Sequence, residues 1–417
     1  MANTQIPVFI DKDLHCYSEL NYVLSLFKPV LGIEFNLADN SVDKFTFSKL
    51  TSEKGYTISE SYWLAYEHQN YSQCHEIFSF FQEKEFWLEK IFHLINCIQE
   101  FSSHSGDQFG RFTYQQSWQY QNGNIENNVV LELMKDFISV HFAGLRWKSF
   151  KTSLFLSHDV DTIFGELTQN GMYYLRTMQF AKLKNIIFNF LLRKPGWANM
   201  DVINKLHDDH NVKHVYFWLI TKATSNGIKN ADYGVDQIAK YCNSSATSGL
   251  HKSSTSMSYV DEMKSLPIKC IANRNHFLRF ELPHHWHALD ESGIAIDASL
   301  GFAEHHGFRN SYGYIFRPYN PKTKSAFKHL SVPLHLMDAT FRNYLHVPVE
   351  ETADTIVRFI ESNRESSVIS ILWHNTFFTD GKYEGYLQQY EKVLKYIVES
   401  GFSTLDFDDL LKLESNC

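Results

Sequence analysis

From Thr152 onward the chain repeats one pattern: a short apolar run, a polar residue at its end, then a stretch of helical periodicity. The runs are Leu154-Phe155-Leu156, residues 215–220, 249–251, 268–272, 294–297, 368–373 and 402–405. Helical stretches fall between them, at residues 166–192, 201–209, 235–241, 259–266, 284–292 (closed by Gly293), 352–363 and 386–400. Short apolar runs bounded in this way read as fully buried strands. Strands alternating with helices point to βα units around a parallel sheet or barrel. In such folds the residues that follow the strands meet at one face, and sites are built there.

The stretch before this pattern, residues 1–150, reads as a separate, smaller α+β domain, with residues 151–417 forming the barrel domain. A chain of 417 residues is long enough for more than one domain. Strands are expected at residues 7–10, 45–47 and, from its aromatic content, 62–66. Helices are expected at 19–27, at 85–101 with an apolar face, and from Val129 behind an Asn127 or Asn128 cap. A polar segment, residues 102–124, carries Gly106, Gly110 and Gly123. No catalytic constellation is visible here, and His68, His75, His93 and His104 lack ligand-like spacing.

Composition narrows the function classes. Hydrophobic content of 44% with 21% charged residues is that of a well-cored globular protein. A net charge of −8 argues against a nucleic-acid binder. Six scattered cysteines (Cys16, Cys74, Cys97, Cys242, Cys270, Cys417) without a C-x-x-C pair suit reduced thiols. No apolar stretch reaches the ~18 residues of a membrane span, and the N-terminus lacks signal-peptide character. A cytoplasmic location is therefore expected. One local departure is the 166–192 stretch with its following residues, which carries Arg176, Lys182, Lys184, Arg193 and Lys194. It is either a solvated helix face or a face for an anionic ligand or partner.

The strand ends collect a specific set of side chains. Asp159 and Asp161 are two apart, so on extended backbone both address one face. Two such carboxylates are costly to desolvate without a cation, which points to a metal; a simple cap on the next helix is the plainer alternative. The other ends supply His251 with Ser253 and Thr255, Arg274 with His276, Asp297, and His374. Carboxylate plus imidazole suits a divalent ion, most plausibly Zn²⁺, that activates water. A carboxylate left off the metal can act as general base and a separate histidine as general acid.

In order, the motifs Ser-His-Asp-Val-Asp, Gly-Leu-His-x-Ser, Arg-x-His-x-Leu-Arg, Asp-x-Ser-x-Gly-Phe and Leu-Trp-His span about residues 152–411. Together they resemble the polysaccharide deacetylases with a NodB-type domain (carbohydrate esterase family four). Within that family they resemble the bacterial branch with a His-Asp-Val-Asp first motif. The resemblance implies a distorted (β/α) barrel, usually of seven strands, with a metal at its mouth and a carbohydrate substrate. It assigns Asp159 as base, Asp161 and His251 as ligands, Arg274 as the group orienting the base, and His374 as acid. Asp297, Leu300, Phe302 and Trp373 would line the substrate groove. The implied activity is metal-dependent removal of N-acetyl groups from an amino sugar, a glycan or a glycan precursor. Two departures stand out. Thr255 occupies the place of the family's second ligand histidine, and His276 stands where the third motif has a proline, which makes His276 the nearest replacement ligand. The third motif also lacks its Pro-Gly ending. Thr255 is the feature that favours the competing reading, a carbohydrate-binding barrel with weak or no chemistry; hydrolysis of another non-peptide C–N bond is a third.

Overall fold

Ser153–Val160 (SLFLSHDV) is the strand around which the larger sheet is assembled. The computed structural model describes residues 4–49, 55–102, 106–225 and 227–415; His104 and Cys417 lie outside them. Val368–Leu372 pairs with Ser153–Val160 on one side and Val215–Trp218 on the other. From Val215–Trp218 the sheet continues through Ser248–Lys252, Ala272–Asn275, Ile296–Asp297 and Leu330–Ser331, and from Val368–Leu372 it ends at Leu336–Met337. Ser403–Thr404 pairs with Ser153–Val160 off this path. Every pairing in the sheet is parallel. The order is that of a (β/α) barrel with an open seam between Leu330–Ser331 and Leu336–Met337.

The chain is thus an α/β protein with a curled parallel sheet. Its main path holds eight strands among the described residues, where the resemblance led to an expectation of seven. The two strands at the seam are both two residues long and flank Pro333, which has no amide hydrogen to continue a ladder.

Alternation along Ser153–Val160 sorts its side chains. Leu154, Leu156 and Val160 join the core beneath the outer helices, including Met200–His210, Thr352–Ser362 and Tyr386–Glu399. Phe155 turns inward to Phe407, which also packs on Phe217. Each aromatic buried in this way contributes about 1.5–3 kcal/mol over leaving it exposed. Ser157 and Asp159 fall on the Phe155 side by the same period of two.

In the first part of the chain the helices Tyr17–Ser25 and Phe27–Leu31 lie between the first and second strands, and the remaining helices follow the fourth. These strands, Thr4–Ile10, Ile33–Leu37, Phe45–Ser48 and Gly55–Thr57, form one sheet, with parallel pairings throughout. The predicted strand at 62–66 is instead the helix Glu60–Glu67. Tyr62, Trp63, Ala65 and Tyr66 are buried while Leu64 is exposed, a helical spacing that overrides aromatic β-propensity. The long predicted helix at 166–192 is two helices, Glu166–Arg176 and Phe180–Leu191, parted at Met178 with φ 57°. The run at 268–272 is displaced as well, and the strand there is Ala272–Asn275. Its Asn273, Arg274 and Asn275 are buried in spite of their polarity, so an apolar pattern could not show them.

The two parts share one core. Val8, Phe92 and Phe137 belong to the same buried cluster as Trp286, Leu300 and Tyr319. A bidentate pair crosses between them, with Arg309 Nε and Nη2 donating to Glu100 at 2.9 and 2.6 Å.

Candidate active site

Parallel pairing puts the C-terminal ends of all these strands on one side. A cavity of about 270 Å³ lies there, lined by Asp159, Asp161, His251, His276 and His374. Phe277, Tyr344 and Tyr383 form its aromatic walls.

Asp159 is buried and fixed. Arg274 Nη1 donates to Asp159 Oδ1 at 2.9 Å and to Ser157 Oγ at 2.8 Å, and Arg274 Nε donates to the Ala298 carbonyl at 3.0 Å. The guanidinium rests 4.4 Å over the Phe217 ring. Gly249 makes room for that ring: a Cβ there would lie 2.8 Å from Phe217 Cδ1 and Cε1. A glycine two residues before His251 therefore helps to hold the arginine that holds Asp159.

Asp161 gathers three imidazoles. His251 Nε2 is 3.2 Å and His276 Nε2 3.8 Å from Asp161 Oδ1, and His374 Nε2 is 3.8 Å from Asp161 Oδ2. His251 Nε2 is also 3.5 Å from Asp159 Oδ2. The other nitrogen of His251, Nδ1, lies 2.9 Å from the Arg274 carbonyl, to which it donates its hydrogen. That fixes the orientation that leaves Nε2 facing the carboxylates, as metal-ligating histidines are commonly held. One atom from each of Asp161, His251 and His276 lies within 4.8 Å of the others. Asp161 Oδ1 is shut off from solvent with no hydrogen bond of good geometry.

The electrostatics fit a cation in this place. Burial works to raise the Asp161 carboxyl, but the histidines around it outweigh burial and hold it well below the usual carboxylate range. Burial takes His276 down to about 4, despite the attraction of Asp161. His251 goes the other way: burial opposes its charge, but Asp159 and Asp161 raise it above the ordinary imidazole value. Of the three candidate ligands, His251 is then the one that must lose a proton before it can bind metal. Zinc affinity should rise with pH until that proton is gone, and binding near pH ~6.5 should be accompanied by proton release. Calorimetry in buffers of different ionisation enthalpy reads this directly; a binding heat independent of the buffer contradicts it.

His374 is held by a residue that the strand-end reading missed. Asp338 is buried; its Oδ1 is 2.6 Å from His374 Nδ1, and its Oδ2 accepts from the His374 amide at 2.7 Å. Burial opposes the imidazolium, yet the charge and hydrogen bond of Asp338, with help from Asp161 and Asp159, push His374 up to about 10. A proton stays on this histidine at neutral pH. Asp338 follows the strand Leu336–Met337, so a carboxylate directly after an apolar pair was the available signal. Arg111 was also missed. It reaches the cavity from the polar 102–124 segment, pairing with Asp107 at 2.6 Å and donating to the Phe277 carbonyl at 3.0 Å.

The four expected groove residues are not in the cavity wall. Asp297 is buried, accepting from Asn273 at 2.9 Å and Ser299 at 2.7 Å and facing His285 at 3.2 Å. Leu300 is in the core, and Phe302 is buried 4.8 Å from Arg309 and beside Tyr114. Trp373 alternates outward between Leu372 and His374 and packs on Tyr390. Thr255 likewise does not join the imidazoles. Its hydroxyl is 2.7 Å from Ser253 Oγ and 3.4 Å from Glu262. His276 is brought to Asp161 instead.

Among known proteins, residues 8–141 match a family of unknown function (DUF7033). No curated protein is significantly similar to the chain. Among solved structures the chain is similar to one described as "Crystal structure of putative polysaccharide deacetylase from Mycobacterium smegmatis". That likeness has 9% identity and a TM-score of 0.38, over 65% of this chain and 93% of that one.

Proposed function

We propose that this cavity is the active site of a metal-dependent hydrolase that removes N-acetyl groups from an amino sugar or a glycan precursor. The observation that carries the reading is the joint placement of three kinds of group. A ligand set (Asp161, His251, His276) sits beside a carboxylate clamped by Arg274 and a histidine kept protonated by Asp338.

The donor set fits a divalent ion such as Zn²⁺. It has one carboxylate oxygen without a hydrogen bond and a histidine whose Nε2 is bared by a carbonyl at Nδ1. Such an ion would polarise the acetyl carbonyl and lower the pKa of the attacking water. The chain's own groups do the remaining work. Asp159, held off by Arg274, accepts the proton of the water that attacks the carbonyl. His374, held by Asp338, delivers a proton to the departing amine, which is otherwise a poor leaving group. The carboxylate is tied to a guanidinium that Ser157 and the Ala298 carbonyl also hold, so the base is already oriented.

In this reading residues 151–417 are the catalytic domain. Residues 1–150 are an accessory unit that shares its core with that domain and whose Arg111 completes the cavity wall. The arrival of His276 at Asp161 supports catalysis over a barrel that only binds sugar, because the ligand position given up at Thr255 is supplied elsewhere. Purified protein with added zinc should release acetate from N-acetylated amino sugars, lose that activity to a chelator and regain it with metal. Absence of both bound metal and acetate release across such substrates rules the proposal out.

A further inference from the structure

The helices Glu166–Arg176 and Phe180–Leu191 form a hairpin that leaves its apolar side chains outside. In the second helix only Ile186 is buried. Met178, Phe180, Phe188, Phe190, Leu191 and Leu192 are 73, 57, 59, 54, 71 and 50% exposed. Of the 21 large hydrophobic side chains exposed among the described residues, nine lie between Met172 and Leu192. Single exposed apolar residues are ordinary, but a concentration of this kind marks an interaction surface.

Charge selects the partner. Residues 167–194 contain five bases (Arg176, Lys182, Lys184, Arg193, Lys194) and no acid, in a chain of net charge −8. All five are exposed, and none pairs with a carboxylate among the described residues. A second copy of the chain is a poor occupant, since a two-fold interface sets the same five bases against themselves. An anionic lipid surface matches both features: apolar side chains enter the headgroup–acyl boundary, and bases meet phosphates.

We propose that the 166–192 hairpin docks this protein on anionic membrane surfaces. The proposal stands on this surface alone and not on the hydrolase reading. Its geometry still bears on the cavity, because the hairpin's root is fastened to the rim. Lys382 Nζ and the Tyr383 hydroxyl donate to Gln169 Oε1 at 2.9 and 3.1 Å, and the Lys382 amide donates to Asn170 Oδ1 at 3.1 Å. Gln169 and Tyr383 both line the cavity. Docking of the hairpin therefore holds the cavity mouth beside the bilayer.

The test is sedimentation of the full chain with phosphatidylcholine vesicles, with and without phosphatidylglycerol. Binding to the anionic vesicles should be about ten-fold tighter or more, and should weaken as salt shortens the Debye length below ~8 Å. The double variant Phe188→Ser/Leu191→Ser should bind about ten-fold more weakly. These side chains are exposed, so its melting temperature should match the parent's. Lys182→Glu/Lys184→Glu should remove the preference for phosphatidylglycerol. Three outcomes overturn the proposal: no binding to either vesicle, equal binding by the Phe188/Leu191 variant, or a self-associated form, undone by that variant, in a protein that ignores vesicles. The last would assign the face to a second copy.

Discussion

Asp159→Asn is expected to lower acetate release by about 10²–10⁴-fold, the range of a positioned general base, while bound metal stays at the parent level. The amide is nearly isosteric and still accepts from Arg274, but it cannot take a proton from water. The change also leaves the buried Arg274 guanidinium without its counter-charge, 2.9 Å away in the parent. Breaking a buried pair from one side typically costs about 3–5 kcal/mol, so the variant should also melt lower. Rates must then be compared per folded molecule at a temperature well below that melt. Metal content separates the roles. If zinc is lost with Asp159→Asn, the carboxylate is a ligand and not the base, and the division of labour with Asp161 is wrong. The pH profile gives a second readout. Activity that needs protonated His374 falls on the alkaline side, and removing Asp338 moves that fall to lower pH, because Asp338 is the main support of the His374 charge.

Much of this site was legible because parallel βα architecture turns sequence order into position. Asp159, Asp161, His251, Arg274, His276 and His374 each end an apolar run or stand within a few residues of one. All six were expected at one mouth, and the structure brings them to one cluster. Asp338 escaped because its strand is two residues long and the segment before it, Val332-Pro333-Leu334-His335, has no clean period. Arg111 escaped for a different reason. Its contact with Phe277 spans 166 residues, and nothing local in a glycine-bearing polar segment announces such a partner. Asp297 shows the opposite failure: a strand-end carboxylate of the right type was read as part of the groove. Its two-residue strand instead gives it to His285 and Asn273 inside the protein.

The same logic explains the errors in the fold. Aromatic content misled at Tyr62–Tyr66, where tertiary packing, not propensity, decides the element. In the 166–192 stretch the apolar periodicity was real, but it did not say whether the apolar face was covered. Periodicity reports a face and is silent on what meets it. There the exposed Phe188 and Leu191 carry information that only the folded chain provides.

The third ligand is the point on which the hydrolase reading is most exposed, and a pair of variants decides it. His276→Ala should reduce zinc affinity by more than the ~10–100-fold that loss of a group behind a ligand costs, and acetate release should fall with occupancy. Thr255→Ala should leave both close to the parent, since its hydroxyl bonds to Ser253 and Glu262 and not to the cluster. Excess zinc separates affinity from chemistry. A His276→Ala protein that regains the parental rate at saturating metal identifies His276 as a ligand and nothing more. A reduced rate at full occupancy gives it a further role toward substrate, consistent with its place in the cavity wall. Retention of zinc by His276→Ala, with loss in Thr255→Ala, reverses the assignment and returns the site to the ligand spacing of the family it resembles. The geometry argues against that reversal. His276 Nε2 lies 3.8 Å from Asp161 Oδ1, and its ring, taken down to about 4 by burial, is neutral and free to coordinate at physiological pH.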